Sequence, residues 1–322
     1  MQDTWQREIS YLRISLTDRC NLRCCYCMPE NGVQSLEHRE ILRAEEIVRL
    51  VIIGAELGIR QVRLTGGEPL VRKGLVELVA DLAKIPGIED LALTTNGTLL
   101  AGQAQALKKA GLKRVNISLD TLNPQKYRAI TRNGELDQVY QGIKAAWQVQ
   151  LRPIKINVVA IKGFNDDELA ALASLTFKYP LEVRFIELMP LGVSGEWAKG
   201  RQIAAGEIKA RLETELGTLL PAQAVSGVGP AQYYRWPKAL GQIGFITPIT
   251  DHFCRRCNRL RLTAAGQLKP CLYSGETVGL KSALRNGAGD QALKQLWQEA
   301  VKLKPQQHSE KPSKIFMSQV GG

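Results

Sequence analysis

The chain has 322 residues, 44% of them apolar, which suffices for one large barrel or about two domains and excludes general disorder. Lys and Arg number 43 against 31 Asp and Glu, a formal net charge of +12. That excess admits nucleic acid, a membrane surface or a polyanionic small molecule as partner without choosing among them. No apolar run approaches the ~18 residues of a membrane span. The opening MQDTWQREIS lacks the apolar core of a secretory signal. The cytoplasm is the expected compartment, where cysteines serve more often as thiols or metal ligands than as disulfides.

The first predicted strand, residues 8–16, runs into the loop CNLRCCYCMP, which holds Cys20, Cys24, Cys25 and Cys27. Two ligand sets are open: Cys20-x3-Cys24-x2-Cys27, or one that uses Cys25. Three thiolates on a four-iron cluster would leave one iron without a protein ligand, the open position a catalytic metal needs. A structural zinc would need a further Cys pair or a histidine, and His38 is the local candidate. Helical patterns follow at 44–57 and 75–84, the first stopping at Gly58.

Further strands are predicted at 59–65, 90–95, 113–119, 154–161 and 182–189, with helices at 103–110, 135–150 and 166–178. Strands alternating with helices mean right-handed βα units and a parallel sheet, either open and doubly wound or a partial barrel. In both, functional groups gather at the carboxyl ends of the strands. Those ends read Thr65-Gly66-Gly67-Glu68-Pro69, Thr94-Thr95-Asn96-Gly97, Ser118-Leu119-Asp120 and Glu187-Leu188-Met189-Pro190. Lacking a Cβ, Gly66 and Gly67 are expected to let a ligand approach the backbone.

Beyond Met189 the chain becomes turn-rich around one helical pattern at 207–216, so a module boundary falls between 190 and 240. A strand at 243–246 precedes a second cysteine set, Cys254, Cys257 and Cys271, and a hairpin-like RLRLTAAGQLKPCL. Spacing leaves that set open between a cluster and a zinc knuckle completed by His252 or His308. Arg259 and Arg261, two apart, would share one face of a strand. Val183-Arg184-Phe185 sets an arginine in an apolar strand, where it is expected to be paired. Two helical patterns and a polar tail ending Gly321-Gly322 close the chain.

In order, CNLRCCYCMP, RLTGGEPLVR, TTNG, NISLDT, FIELMP, CRRCNRLRLT, Cys271 and the Gly-Gly end resemble the radical S-adenosylmethionine (SAM) enzymes. Within them they resemble the GTP 3′,8-cyclase family of molybdenum cofactor biosynthesis. The cysteine loop with GGEP carries the superfamily; the second cysteine set, the NRLRL arginines and the Gly-Gly end carry the family. The resemblance implies an α/β fold, a partial (βα)6 TIM-like barrel over 1–228 with a C-terminal cluster-binding module over 229–322. It implies that Cys20, Cys24 and Cys27 hold a SAM-binding [4Fe–4S] cluster, with Cys25 a bystander and Tyr26, Gly67, Ser118 and Met189 contacting SAM. Cys254, Cys257 and Cys271 would hold a second [4Fe–4S] cluster whose open iron takes the guanine of GTP. Arg13, Arg63, Thr94, Lys155, Arg259 and Arg261 match GTP-binding positions, and Arg184 another active-site arginine. Gly321 and Gly322 would enter the site and position the catalytic Arg259 and Arg261.

In the implied reaction a 5′-deoxyadenosyl radical takes hydrogen from the ribose C3′, the C3′ radical attacks C8 of guanine, and reduction with proton transfer completes the product. Gln61 stands where the family often has lysine, which leaves one phosphate contact in question. The implied partners are GTP, an unassigned electron donor and the next enzyme of molybdenum cofactor synthesis; a homodimer is one option, and neither nucleic acid nor membrane is expected. The alternatives are a radical SAM peptide-modifying enzyme with an auxiliary cluster, and a zinc-stabilised RNA-binding protein. The second meets only 6% aromatic residues and no basic aromatic strip.

Overall fold

Along the parallel strands, apolar side chains alternate with polar or small ones, and that alternation builds the two faces of the sheet. The structure, a computed structural model, describes residues 1–190, 194–225, 229–308 and 317. Its first six strands are β1 (Tyr11–Ser15), β2 (Gln61–Thr65), β3 (Asp90–Thr95), β4 (Arg114–Ser118), β5 (Ile154–Ala160) and β6 (Glu182–Glu187). They are parallel neighbours in that order. Helices α1 (Ala44–Glu56), α2 (Leu75–Ala83), α3 (Ala104–Lys109), α4 (Pro124–Thr131), α5 (Leu136–Gln148) and α6 (Leu169–Lys178) lie between them. The strand side chains that meet the helices, among them Leu12, Ile14, Leu64, Leu93, Val115 and Ile156, are fully buried in one core. Each such residue contributes about 1.5–3 kcal/mol, which offsets the cost of the polar face behind it.

Helix α4 is absent from the sequence pattern. It is only two turns long and buries just Tyr127, Ile130 and Thr131. Its start was nonetheless written in Asn123-Pro124: the Asn123 side chain accepts from the backbone N–H groups of Gln125 (2.9 Å) and Lys126 (3.1 Å), with proline at the first helical position.

The later segments do not form a separate layer. After α7 (Ser194–Ala198) and α8 (Ala205–Leu216) come β7 (Leu220–Ala222), β8 (Gln232–Arg235) and β9 (Gln242–Ile246). Strand β9 pairs parallel with β6, and β8 and β7 follow antiparallel. At the other edge β10 (Arg259–Leu262) pairs parallel with β1, and β11 (Gln267–Lys269) and β12 (Val278–Gly279) follow antiparallel. One twelve-stranded sheet results, its central eight strands parallel. Helices α9 (Leu280–Arg285) and α10 (Asp290–Lys302) complete it, and the fully buried Trp297 of α10 packs against Gly54 of α1. Among the described residues no helix is long and apolar enough to cross a membrane.

The sheet curls. In a flat sheet β2 and β6 would stand four spacings, about 19 Å, apart. Yet Arg63 of β2 lies close enough to Arg184 of β6 to lower the pKa of its guanidinium, after burial (lowering) and Tyr233 (raising) have acted on it. The polar faces therefore look at one another across an interior, as in a partial barrel.

Candidate active site

A row of cations crosses that interior. In the register of the parallel strands Arg261 stands beside Arg13, Arg13 beside Arg63, Arg63 beside Ala92 and Ala92 beside Arg114. One level toward the amino ends the row reads Arg259, Tyr11, Gln61 and Asp90. Across the interior Arg184 donates to Asn157 Oδ1 through Nε (3.0 Å) and Nη2 (2.6 Å). Lys155 pairs with Glu182 at 2.5 Å, and Tyr233 donates to the same carboxylate at 2.7 Å. Arg63 donates to the Tyr11 hydroxyl and, at 3.5 Å, to Thr94 Oγ1. The predicted Arg13, Arg63, Thr94, Lys155, Arg184, Arg259 and Arg261 thus share one face of the sheet.

The cations are drawn close enough to shift one another. Asp90 pairs with Arg114 and Glu182 with Lys155. Burial, against the pull of Tyr11 and with help from Arg114 and Arg13, brings the Arg63 guanidinium down to about 10. Burial together with Arg13 and Arg259 brings Arg261 down to about 9. Burial alone would raise the Tyr11 phenol, but Arg63, Arg13, Arg259 and Arg114 outweigh it and lower it to about 7. The Nε of Arg13 is buried without a hydrogen-bond partner. Taking such groups out of water costs several kcal/mol each unless an anion answers them. The interior is built to receive one.

The first cysteine set lies at the carboxyl ends of the strands. The loop after β1 carries Cys20, Cys24 and Cys27, all half-buried. Burial first, then Cys27, Asp120 and Cys20, push the Cys24 thiol well up, so these groups crowd one another. Cys25 is turned away: its N–H and Sγ bond to the carbonyls of Ile130 (2.9 Å) and Ala129 (3.6 Å) of α4. Cys20, Cys24 and Cys27 are the loop's other three thiols, a donor chemistry that fits a cluster with one open iron. Among the described residues, no three His, Cys, Asp or Glu side chains stand as a single-ion site.

Gly66 and Gly67 are where the structure corrects the expectation. A Cβ on Gly67 would lie 2.2 Å from the Arg19 carbonyl oxygen, and one on Gly66 would lie 2.7 Å from that of Thr17. The glycines admit the cysteine loop, not open space for a ligand. Gly67 N–H donates to Thr17 O (2.7 Å) and Glu68 N–H to Arg19 O (2.8 Å), so the GGEP turn is hydrogen-bonded to that loop. Glu68 extends the brace, accepting from Thr95 Oγ1 (2.8 Å) and Asn96 N–H (2.7 Å), and burial lifts its carboxyl to about 7. Tyr26 donates to Asp120 at 2.6 Å beyond the end of β4, close in sequence to Ser118. Met189 follows β6 at the same end.

The second cysteine set lies at the opposite mouth. Cys254 and Cys257 precede β10 and Cys271 follows the antiparallel β11, while β10 runs parallel to β1. These cysteines therefore sit at the amino ends of the strands, about 15 Å or more from the first set along a five-residue strand. The arginine row lies between the two. His252 and His308, candidates to complete a zinc knuckle, engage one another, ring nitrogen to ring nitrogen at 2.9 Å. Gly321 and Gly322 lie outside the described residues.

Sequence reasoning missed Tyr11, Asn157 and Lys304. The alternation in YLRIS, QVRLT, IKINV and EVRFI could have found the first two. Parallel strands covered by helices on both faces read as continuous apolar runs, so a polar face announces an interior cavity.

Residues 14–176 match the family model for the radical SAM superfamily, and residues 181–310 that for Molybdenum Cofactor Synthesis C. A GTP 3′,8-cyclase of Pelotomaculum thermopropionicum is 56% identical over 100% of both chains, and one of Heliobacterium modesticaldum 51% identical over 100% of both. Among solved structures, Streptococcus suis SuiB bound to S-adenosylmethionine is similar with a TM-score of 0.61. At 15% identity, over 88% of this chain and 66% of that one, the likeness establishes the fold.

Proposed function

The chain belongs to the GTP 3′,8-cyclase family of radical SAM enzymes, and from that membership we propose that its polar interior is the GTP site of this reaction. The enzyme converts GTP to (8S)-3′,8-cyclo-7,8-dihydroguanosine 5′-triphosphate, the first step of molybdenum cofactor biosynthesis. The observation that carries the site assignment is the row Arg261–Arg13–Arg63, guanidiniums aligned side by side on the interior face, set between the strand ends that bear the two cysteine trios.

In this reading Cys20, Cys24 and Cys27 hold the [4Fe–4S] cluster, with SAM against Tyr26, Ser118 and Met189, and Gly67 serves it by letting the cysteine loop close on the turn. Bound there, cluster and SAM supply the one-electron cleavage that starts the radical chemistry. The finer assignment, a second [4Fe–4S] cluster on Cys254, Cys257 and Cys271, is supported by three thiols collected from two segments in a cationic setting. The protein's own part is binding and orientation. Arginine forks grip the triphosphate, each charge-assisted bond contributing about 1.5–3 kcal/mol. Arg13 Nε gains the acceptor it lacks, and Thr94 and Lys155 add donors along the same face. A nucleotide anchored at the row spans the interior between the trios, where burial excludes water from the reacting atoms. Gly321 and Gly322 belong to the same reading as the segment that positions Arg259 and Arg261. The division into 1–228 and 229–322 treats β8 to β12 as edge additions to the barrel. An external electron donor and hand-over of the product to the next enzyme complete the reading.

Anaerobically purified protein tests it. We expect about eight irons per chain, as two four-iron clusters require, and 5′-deoxyadenosine formed only when GTP is present. Deoxyadenosine formation triggered by a peptide and indifferent to GTP would overturn the assignment of the interior.

A further inference from the structure

Lys304 stands just past α10 with 3% of its surface exposed. Its ammonium donates to the Sγ of Cys257 at 3.4 Å, to the Arg259 carbonyl at 2.7 Å and to the Pro270 carbonyl at 2.8 Å. An ammonium has three N–H donors, and these three acceptors use them all. Pro270 adjoins Cys271, and Arg259 lies two residues past Cys257, so one side chain ties together both segments that carry the second trio. Nearby, Arg7 donates to the Cys254 carbonyl at 2.6 Å, and the buried Lys269 donates to the Ser274 carbonyl at 2.7 Å. At the first trio the donor on sulfur is a neutral amide, Leu22 N–H on Cys20 Sγ at 3.4 Å, and the buried carboxyls of Glu68 and Asp120 lie nearby, with Arg23 on the Cys20 carbonyl.

We propose that Lys304 is a positioning residue of the second cluster, which fixes Cys257 relative to Cys271 and raises that cluster's reduction potential above that of the first. The inference rests on the reading that Cys254, Cys257 and Cys271 hold a [4Fe–4S] cluster. Reduction adds one negative charge to the cluster. A cation and an N–H···S bond held at a thiolate stabilise that charge, and the more so where water is excluded. At the first trio the N–H donor on sulfur is neutral, so this stabilisation is smaller there.

The test uses two full-length backgrounds, each reconstituted anaerobically. In one, Cys20, Cys24 and Cys27 are replaced by alanine; in the other, Cys254, Cys257 and Cys271 are. About four irons per chain in the first background are required by the reading of the second trio, and an iron-free protein there overturns that reading and not the electrostatics. With iron present, midpoints are read by EPR-monitored titration. The cluster on Cys254, Cys257 and Cys271 is expected to have the higher midpoint of the two, and equal or reversed midpoints overturn the proposal without any change at Lys304. Within the first background Lys304→Met is expected to lower the midpoint and Lys304→Arg to restore most of it. Should Lys304→Met not load iron, Lys304→Gln keeps a donor while removing the charge, and its midpoint is expected below that of Lys304. A loaded neutral variant with an unchanged midpoint overturns the proposal.

Discussion

Tyr11 holds a phenol where Arg63, Arg13, Arg259 and Arg114 converge, and they bring it down to about 7 from an ordinary 10. A folded value below the unfolded one means stabilisation present above the unfolded value and lost as pH falls through the folded one. The phenolate therefore adds stability that grows from about pH 7 toward pH 10. Replacing it by phenylalanine leaves the guanidiniums unanswered, so the melting-temperature gap between wild type and Tyr11→Phe should widen between about pH 6 and pH 8.5 in the nucleotide-free protein. A gap that stays constant would assign Tyr11 to packing alone. Arg13, with its unpartnered buried Nε, is expected to lose little by replacement when no nucleotide is bound. For Arg13→Ala we expect GTP affinity to fall about 10- to 100-fold, the value of one charge-assisted bond, while the free protein melts no lower than wild type. Titration calorimetry and a thermal melt on the same preparation check both halves. Gln61 is the register partner of Tyr11 on this interior face, so a lysine in its place would add one more cation to a crowded row.

The turn after β2 and the loop after β1 form one unit, and its tolerance is set by backbone contact. A methyl at Gly67 would lie 2.2 Å from the Arg19 carbonyl, next to Cys20. The loop must shift, and a cubane demands that its thiolates hold their places. Gly67→Ala should lose about four of about eight irons per chain while the second cluster remains; iron and sulfide assay decides, and full iron content would show that the loop has slack. The same strand ends were readable in the sequence because TGGEP, TTNG and SLD each close a short apolar strand. What the motif could not say was which partner the glycines admit, since an absent Cβ serves a ligand and a neighbouring loop equally well. Helix α4 was missed for a related reason: a two-turn helix has too few buried positions to show a period, although its Asn-Pro start was plain.

The last third of the chain closes the barrel's flanks, and this makes stability a property of the entire sheet. Strand β10 covers the edge of β1, β9 covers that of β6, and Trp297 seats α10 on α1. Trp297→Ala empties a fully buried site and should cost about 3–5 kcal/mol. Chemical denaturation is expected to show one transition moved to lower denaturant, with the barrel and the C-terminal segments lost together. Two separated transitions would show instead that the C-terminal segments unfold as their own domain. The arrangement also bears on the net charge of +12, since part of the excess is buried as arginines on the interior face and not spread over the surface.

Local pattern carried much of this. The six βα units, the cysteine cluster, the strand-end turns and the arginine spacing are all written within a few residues of one another, because hydrophobic period and ligand spacing are short-range properties. The parallel pairing of β10 with β1 is not, for it joins segments some 250 residues apart, and the pattern of either strand is compatible with many neighbours. That pairing alone aligns Arg261 with Arg13, sends the second cysteine trio to the amino ends of the strands, and brings Lys304 onto Cys257. Strand direction and curl, which arise only when the whole sheet assembles, turn separate motifs into an interior with a cysteine trio at each mouth.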